Sequence, residues 1–135
     1  MINVLTKVAV EESTYVIVVS FFDEAGNTLT PNSVNWTLTD RSNTVVNSKV
    51  NQTETPAIVV AIVLSGDDLQ IFGEGSKERR KVLISGTYDS DYGTDLPYNI
   101  AAEFEIDNIG FILHGAEMEM TDDVTITEQV YIAKS

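Results

Sequence analysis

His114 is the only histidine in the chain. A Ser-His-Asp hydrolase would have no other base, and a metal site built from several imidazoles would need more than one copy. Its neighbours Leu113 and Gly115 form no nucleophile or zinc motif, so it reads as a turn or interface residue. Cysteine is absent, which removes disulfides, thiolate catalysis and Cys-containing zinc or iron sites. Glu103 and Glu105 stand two residues apart, about 7 Å along one strand face, a separation that a glycosidase pair could use. The wet face of a strand carries the same pattern, and that reading is preferred. Asp89, Asp91 and Asp95, with Gly93 between them, space oxygen ligands as a calcium loop does. They lack the bidentate glutamate and the length of an EF-hand, and tight turns need the same residue types. The chain is therefore expected to have no catalytic residues, no metal and no cofactor, with calcium dispensable for folding.

Charge is the stronger signal. Eight Lys and Arg face 21 Asp and Glu, a net charge of −13 that opposes nucleic-acid backbones and anionic lipid surfaces. Lys77, Arg79, Arg80 and Lys81 hold four of the eight basic residues, whereas residues 101–135 hold eight acids against Lys134 alone. Strand-edge cations of this kind block aggregation; alternatively they form a docking patch for an acidic surface, such as that of a neighbouring copy. No apolar stretch approaches the roughly 20 residues of a spanning helix, and no basic flank leads into an apolar run near Met1. Neither a membrane span nor a signal peptide is expected, and the sequons Asn35-Trp36-Thr37 and Asn51-Gln52-Thr53 are read as chance.

These residues must be positioned by strands. Of 135 residues, 42 are Val, Ile or Thr, side chains that lose χ1 freedom in helices and pack well on a pleated surface. Period-two alternation predicts a first strand near Val4–Val10 and a central one over Tyr15–Phe22, apolar on both faces. Further strands follow over Val34–Thr39 and Thr44–Val50, then over Ala57–Leu64 after a polar loop at 51–55. A single helical turn is expected at Ser65–Leu69, capped by Ser65 or Asp67, and a flexible tip at Gly73–Ser76. A strand from Lys81 to Tyr88, with Gly86 leaving room for a neighbour such as Trp36, leads into a loop from Asp89 to Pro97. The return strand places Ile100, Ala102, Phe104 and Ile106 inward and Ala101, Glu103, Glu105 and Asp107 outward.

Seven short strands at this spacing suggest an all-β, immunoglobulin-like antiparallel sandwich over residues 1–109. Its core is expected to include Trp36, Leu38, Ile62, Ile84, Tyr88, Ala102 and Phe104. Residues 110–135 read as an added C-terminal β-hairpin, an extension of the same domain or an assembly arm. There Met118 and Met120 alternate with Glu117 and Glu119, and Val124, Ile126, Val130 and Ile132 form an apolar face. A hairpin is marginal alone, so this face needs a cover.

Three short blocks carry a resemblance. Val34-Asn35-Trp36-Thr37-Leu38, the turn Val63-Leu64-Ser65-Gly66-Asp67-Asp68-Leu69, and Gly86-Thr87-Tyr88-Asp89-Ser90 running through Gly93 and Leu96-Pro97 to Phe104-Glu105-Ile106 resemble small Ig-like accessory proteins of tailed bacteriophages. The resemblance covers roughly residues 14–107 and describes a scaffold, so no functional residue carries over. It implies a non-enzymatic virion component of head, neck or tail, made in the host bacterial cytoplasm and present in many copies. Its partners would be other copies of itself, as a homo-oligomer, and capsid, neck or tail proteins. The basic cluster and the apolar hairpin face, rather than the resemblance, suggest Lys77, Arg79, Arg80, Lys81, Met118, Met120, Val124, Ile126, Val130 and Ile132 as the contact residues. The alternatives are a sandwich whose loops bind sugar or a calcium-dependent adhesion target, and a small hydrolase using Glu103 and Glu105.

Overall fold

The computed structural model describes residues 2–72, 77–108 and 123–129, with backbone alone for residues 2 and 123–129. Nine strands and one 3-10 turn make up its regular structure: β1 (Ile2–Val4), β2 (Ala9–Val10), β3 (Thr14–Ser20), β4 (Val34–Asp40), β5 (Gln52–Glu54), β6 (Val59–Ser65), the turn Gly66–Leu69, β7 (Lys77–Ser90), β8 (Gly93–Asp107) and β9 (Asp123–Gln129). They form two sheets in a sandwich-like arrangement. One has the order β1-β8-β7-β4-β5, with β2 also on β8; the other has the order β6-β3-β9.

The alternation read from the sequence sets the packing. Along β3, Tyr15, Ile17 and Val19 are buried; they face β8, where Ile100, Ala102, Phe104 and Ile106 are buried. The Tyr15 and Phe104 rings stack at 4.5 Å across the sandwich, and Phe21 meets Tyr98 edge-on at 5.7 Å. All seven residues expected in the core are buried. Trp36 keeps its indole N–H satisfied by donating to Glu54 Oε2 at 2.9 Å, as a buried polar atom requires.

Several elements differ from the sequence reading. The fourth predicted strand, Thr44–Val50, is a series of turns, because Asn43, Asn47, Ser48 and Asn51 all adopt positive φ, between 50° and 69°, a region strands exclude. Pairing resumes at β5, in the segment read as a polar loop. The loop expected over Asp89–Pro97 is mostly strand: Thr87 pairs with Pro97 and Tyr88 with Leu96, and the chain reverses between Ser90 and Gly93. Gly86 makes room for backbone rather than for Trp36. The first predicted strand is split in two, and both halves pair with β8 in parallel, as β9 does with β3. The sandwich is thus mixed, with these parallel pairs beside the antiparallel ones of β3–β6, β4–β5, β4–β7 and β7–β8.

Of the segment expected to form a C-terminal hairpin, only residues 123–129 are described; they form β9, the third strand of the smaller sheet, with Val124 opposite Tyr15 and Ile126 opposite Ile17. Met118, Met120, Val130 and Ile132 lie outside the described residues, as do His114 and the expected tip at Gly73–Ser76.

Two substitutions test this packing. Trp36→Ala should cost about 3–5 kcal/mol as a cavity mutation, read as a lower urea midpoint. A Cβ at Gly86 would lie 2.1 Å from the Ser33 carbonyl oxygen, a backbone atom that cannot swing aside. Gly86→Ala should therefore destabilise by about 1–3 kcal/mol through overpacking, and an unchanged midpoint would contradict the described approach.

Candidate interaction surfaces

The basic run lies on β7, where strand parity divides it. Lys77, Arg79 and Lys81 alternate with Glu78 and Arg80, and register sets them across from Asp107, Glu105 and Glu103 of β8. The outer face of the large sheet is consequently a charge ladder. Lys77 Nζ lies 3.3 Å from Asp107 Oδ1 and 3.6 Å from Glu105 Oε1, and Arg79 Nη2 donates to Glu103 Oε1 at 3.1 Å. The hydrogen bond to Asp107 holds the Lys77 ammonium above its ordinary value. Surface pairs of this kind add little stability; their effect here is to cancel charge. Both carboxylates of the suggested Glu103–Glu105 pair are therefore occupied by basic side chains of the neighbouring strand.

Arg80 does not stand with the others. It shares parity with Val82 and Ile84 and is 1% exposed. Its Nη1 donates to Glu78 Oε1 at 2.8 Å and to the Arg79 carbonyl, its Nη2 donates to the Gln70 carbonyl, and its guanidinium lies 5.2 Å from the Phe72 ring centroid. A cation so placed ties β7 to the segment after the 3-10 turn and is not available as a docking side chain. Above it, a surface depression of about 470 Å³ is lined by Asp40, Arg41, Phe72 and Arg79 among others.

The acidic loop lies at one end of the sandwich. Asn32 Nδ2 donates to Asp89 Oδ1 at 2.9 Å and to Asp95 Oδ1 at 3.1 Å, and the Asp95 N–H donates to the same Asp89 oxygen at 2.8 Å. These donors hold the Asp89 carboxyl below its ordinary value and knit the hairpin end to the segment before β4. Nearby, the Tyr88 hydroxyl donates to Glu24 Oε2 at 2.6 Å. That bond lowers the Glu24 value and pushes the Tyr88 phenol up to about 12. Among the described residues, no three His, Asp or Glu side chains gather as a metal cage, and no helix is long and apolar enough to cross a membrane.

The sequence reading missed the outer face of the smaller sheet. Burial on β6 alternates strictly, with Val60, Ile62 and Leu64 inside and Val59, Ala61, Val63 and Ser65 exposed. Val59 and Val63 are more than half exposed, and β3 adds the partly exposed Val16 and Val18 beside them. A continuous apolar run reads as a strand covered on both faces, so periodicity held no signal for this exposure. Compared with known protein families, curated proteins and solved structures, the chain matches none.

The Glu24–Tyr88 bond needs an ionised carboxylate and a protonated phenol, which fixes its pH dependence. A lowered Glu24 value means stability present above the ordinary 4.5 and lost as pH falls through the folded value. A raised Tyr88 value means stability lost as pH climbs from 10.0 toward about 12. The stability difference between wild type and Tyr88→Phe, measured by urea melts across pH, should be widest between these ranges and narrow at both ends. A difference independent of pH would contradict the assignment.

Proposed function

We propose that the chain is a non-enzymatic structural protein of a tailed-bacteriophage particle. It would be a multi-copy accessory component of head, neck or tail on an immunoglobulin-like sandwich, binding other copies of itself and a larger shell or tube. Strand order is the observation that carries this reading. If β3, β4, β5, β6, β7 and β8 are read as strands B, C, C′, E, F and G, the order β8-β7-β4-β5 against β6-β3 agrees with six strands of an immunoglobulin sandwich and supports that scaffold, while β9, parallel to β3, stands outside the match. The lone tryptophan is buried on β4, the C position. The three blocks behind the resemblance fall on β4, on the end of β6 with its 3-10 turn, and on the β7–β8 hairpin.

The surfaces support a binding role. The outer face of the large sheet has much of its charge cancelled in cross-strand pairs, while the smaller sheet exposes an aliphatic row. A loop-based recognition module is the second reading, favoured by Tyr92, which is 79% exposed at the hairpin tip beside a depression lined by Asp23, Glu24 and Asp91.

One fractionation separates the two. Mass spectrometry of density-banded particles from a lysate of the producing host should find the chain co-purifying with capsid and tail proteins at many copies per particle. Recovery only with the cell envelope would support the recognition module, and absence from the particles would overturn the virion assignment.

A further inference from the structure

We infer that β6 is a self-association edge, and that a second copy of this chain adds its own β6 antiparallel across a two-fold axis to join the two small sheets into one. The inference deepens the self-binding part of the virion reading but stands on this surface alone.

The first observation is an open edge. β6 pairs with β3 through seven consecutive residues without a register shift, and among the described residues no strand pairs with its other side. Free backbone donors and acceptors in that geometry are satisfied best by another strand. The usual protections are missing: Val59–Ser65 contains no proline, no charge and no bulge. The edges of the large sheet differ. β5 has three residues, and β1 and β2 are short and separated.

The second observation names the occupant. From Pro56 to Gly66 the chain carries no charged residue, whereas 21% of all its residues are charged. Two copies at −13 each repel one another, so they approach at least cost where neither presents charge. The strand is also complementary to itself. Pairing about a two-fold axis through Ile62 sets Ala61 against Val63 and Val60 against Leu64 of the partner copy. Residues of equal parity meet, so the buried row continues the core and the exposed aliphatic row runs unbroken over the joined sheet.

Sedimentation velocity on the full chain over a concentration series in physiological salt tests this. Wild type should show a concentration-dependent monomer–dimer equilibrium with nothing larger, since a two-fold contact closes. Ala61→Lys should weaken the dimer by about tenfold or more, because the axis brings its two lysines close together. At a concentration low enough that wild type is monomeric, its circular dichroism and melting temperature should match wild type, the site being exposed. Thr53→Lys, on the exposed side of β5, should dimerise as wild type does. A wild-type chain that stays monomeric throughout, as expected if another protein's strand is the occupant, would overturn the inference. So would an Ala61→Lys chain that dimerises equally, or species growing beyond the dimer. None of these outcomes bears on particle composition, which alone decides the virion assignment.

Discussion

The structure depends on the period-two parity of the long β7–β8 hairpin. In a strand, adjacent side chains face opposite ways, so one register decides both what is buried and what is displayed. With Val82 opposite Ala102 and Ile84 opposite Ile100, the inner rows supply eight of the 23 buried core residues among those described. The same register leaves Lys77, Arg79 and Lys81 facing the acids of β8 on the outside. A slip of one residue would expose Phe104 and bury Glu103 and Glu105, a cost far above the few kcal/mol by which domains of this size are stable.

Buried polar groups fix the second layer against the first. Asp68, 1% exposed, accepts from Asn47 Nδ2 at 2.8 Å, from Lys49 Nζ at 3.2 Å and from the Ser65 N–H at 3.0 Å. One carboxylate thereby joins the turns after β4 to the end of β6. Arg80 plays the corresponding part on the other side of the 3-10 turn, through Gln70 and Phe72. Removing one partner from such a site leaves an uncompensated charge, so these groups select one arrangement of the two sheets.

Much of this was legible in the sequence, for reasons that particular residues make clear. Clean alternation from Ile100 to Asp107 gave the return strand its inner and outer rows, and Ser65-Gly66-Asp67-Asp68-Leu69 gave the short helical turn. The burial of Arg80 was also within reach, since it shares parity with Val82 and Ile84, but clustering with three other cations obscured it. The turns at 43–51 were hidden because valines at 45, 46 and 50 suggest a strand, whereas the asparagines between them decide the backbone. The hairpin end was misread in the opposite sense. Aspartates, Gly93 and Pro97 suggest a loop, yet Asn32 binds two of those carboxylates and holds the strands together. Nothing in the run Ala57–Leu64 distinguishes a strand covered on both faces from an edge strand with one aliphatic row in water; that depends on which neighbours the topology supplies.

The charge layout and the open edge together support the proposed self-association: opposed charges pair within the chain, and among the described residues the uncharged β6 has no strand on its outer side. Hydrogen–deuterium exchange of the Val59–Ser65 amides at increasing protein concentration reads that edge directly. The account predicts that the β6 amides bonded neither to β3 nor, as Ser65 is, to Asp68 exchange more slowly as concentration rises, while those of β5 are unaffected. Exchange along β6 that does not change with concentration would contradict it.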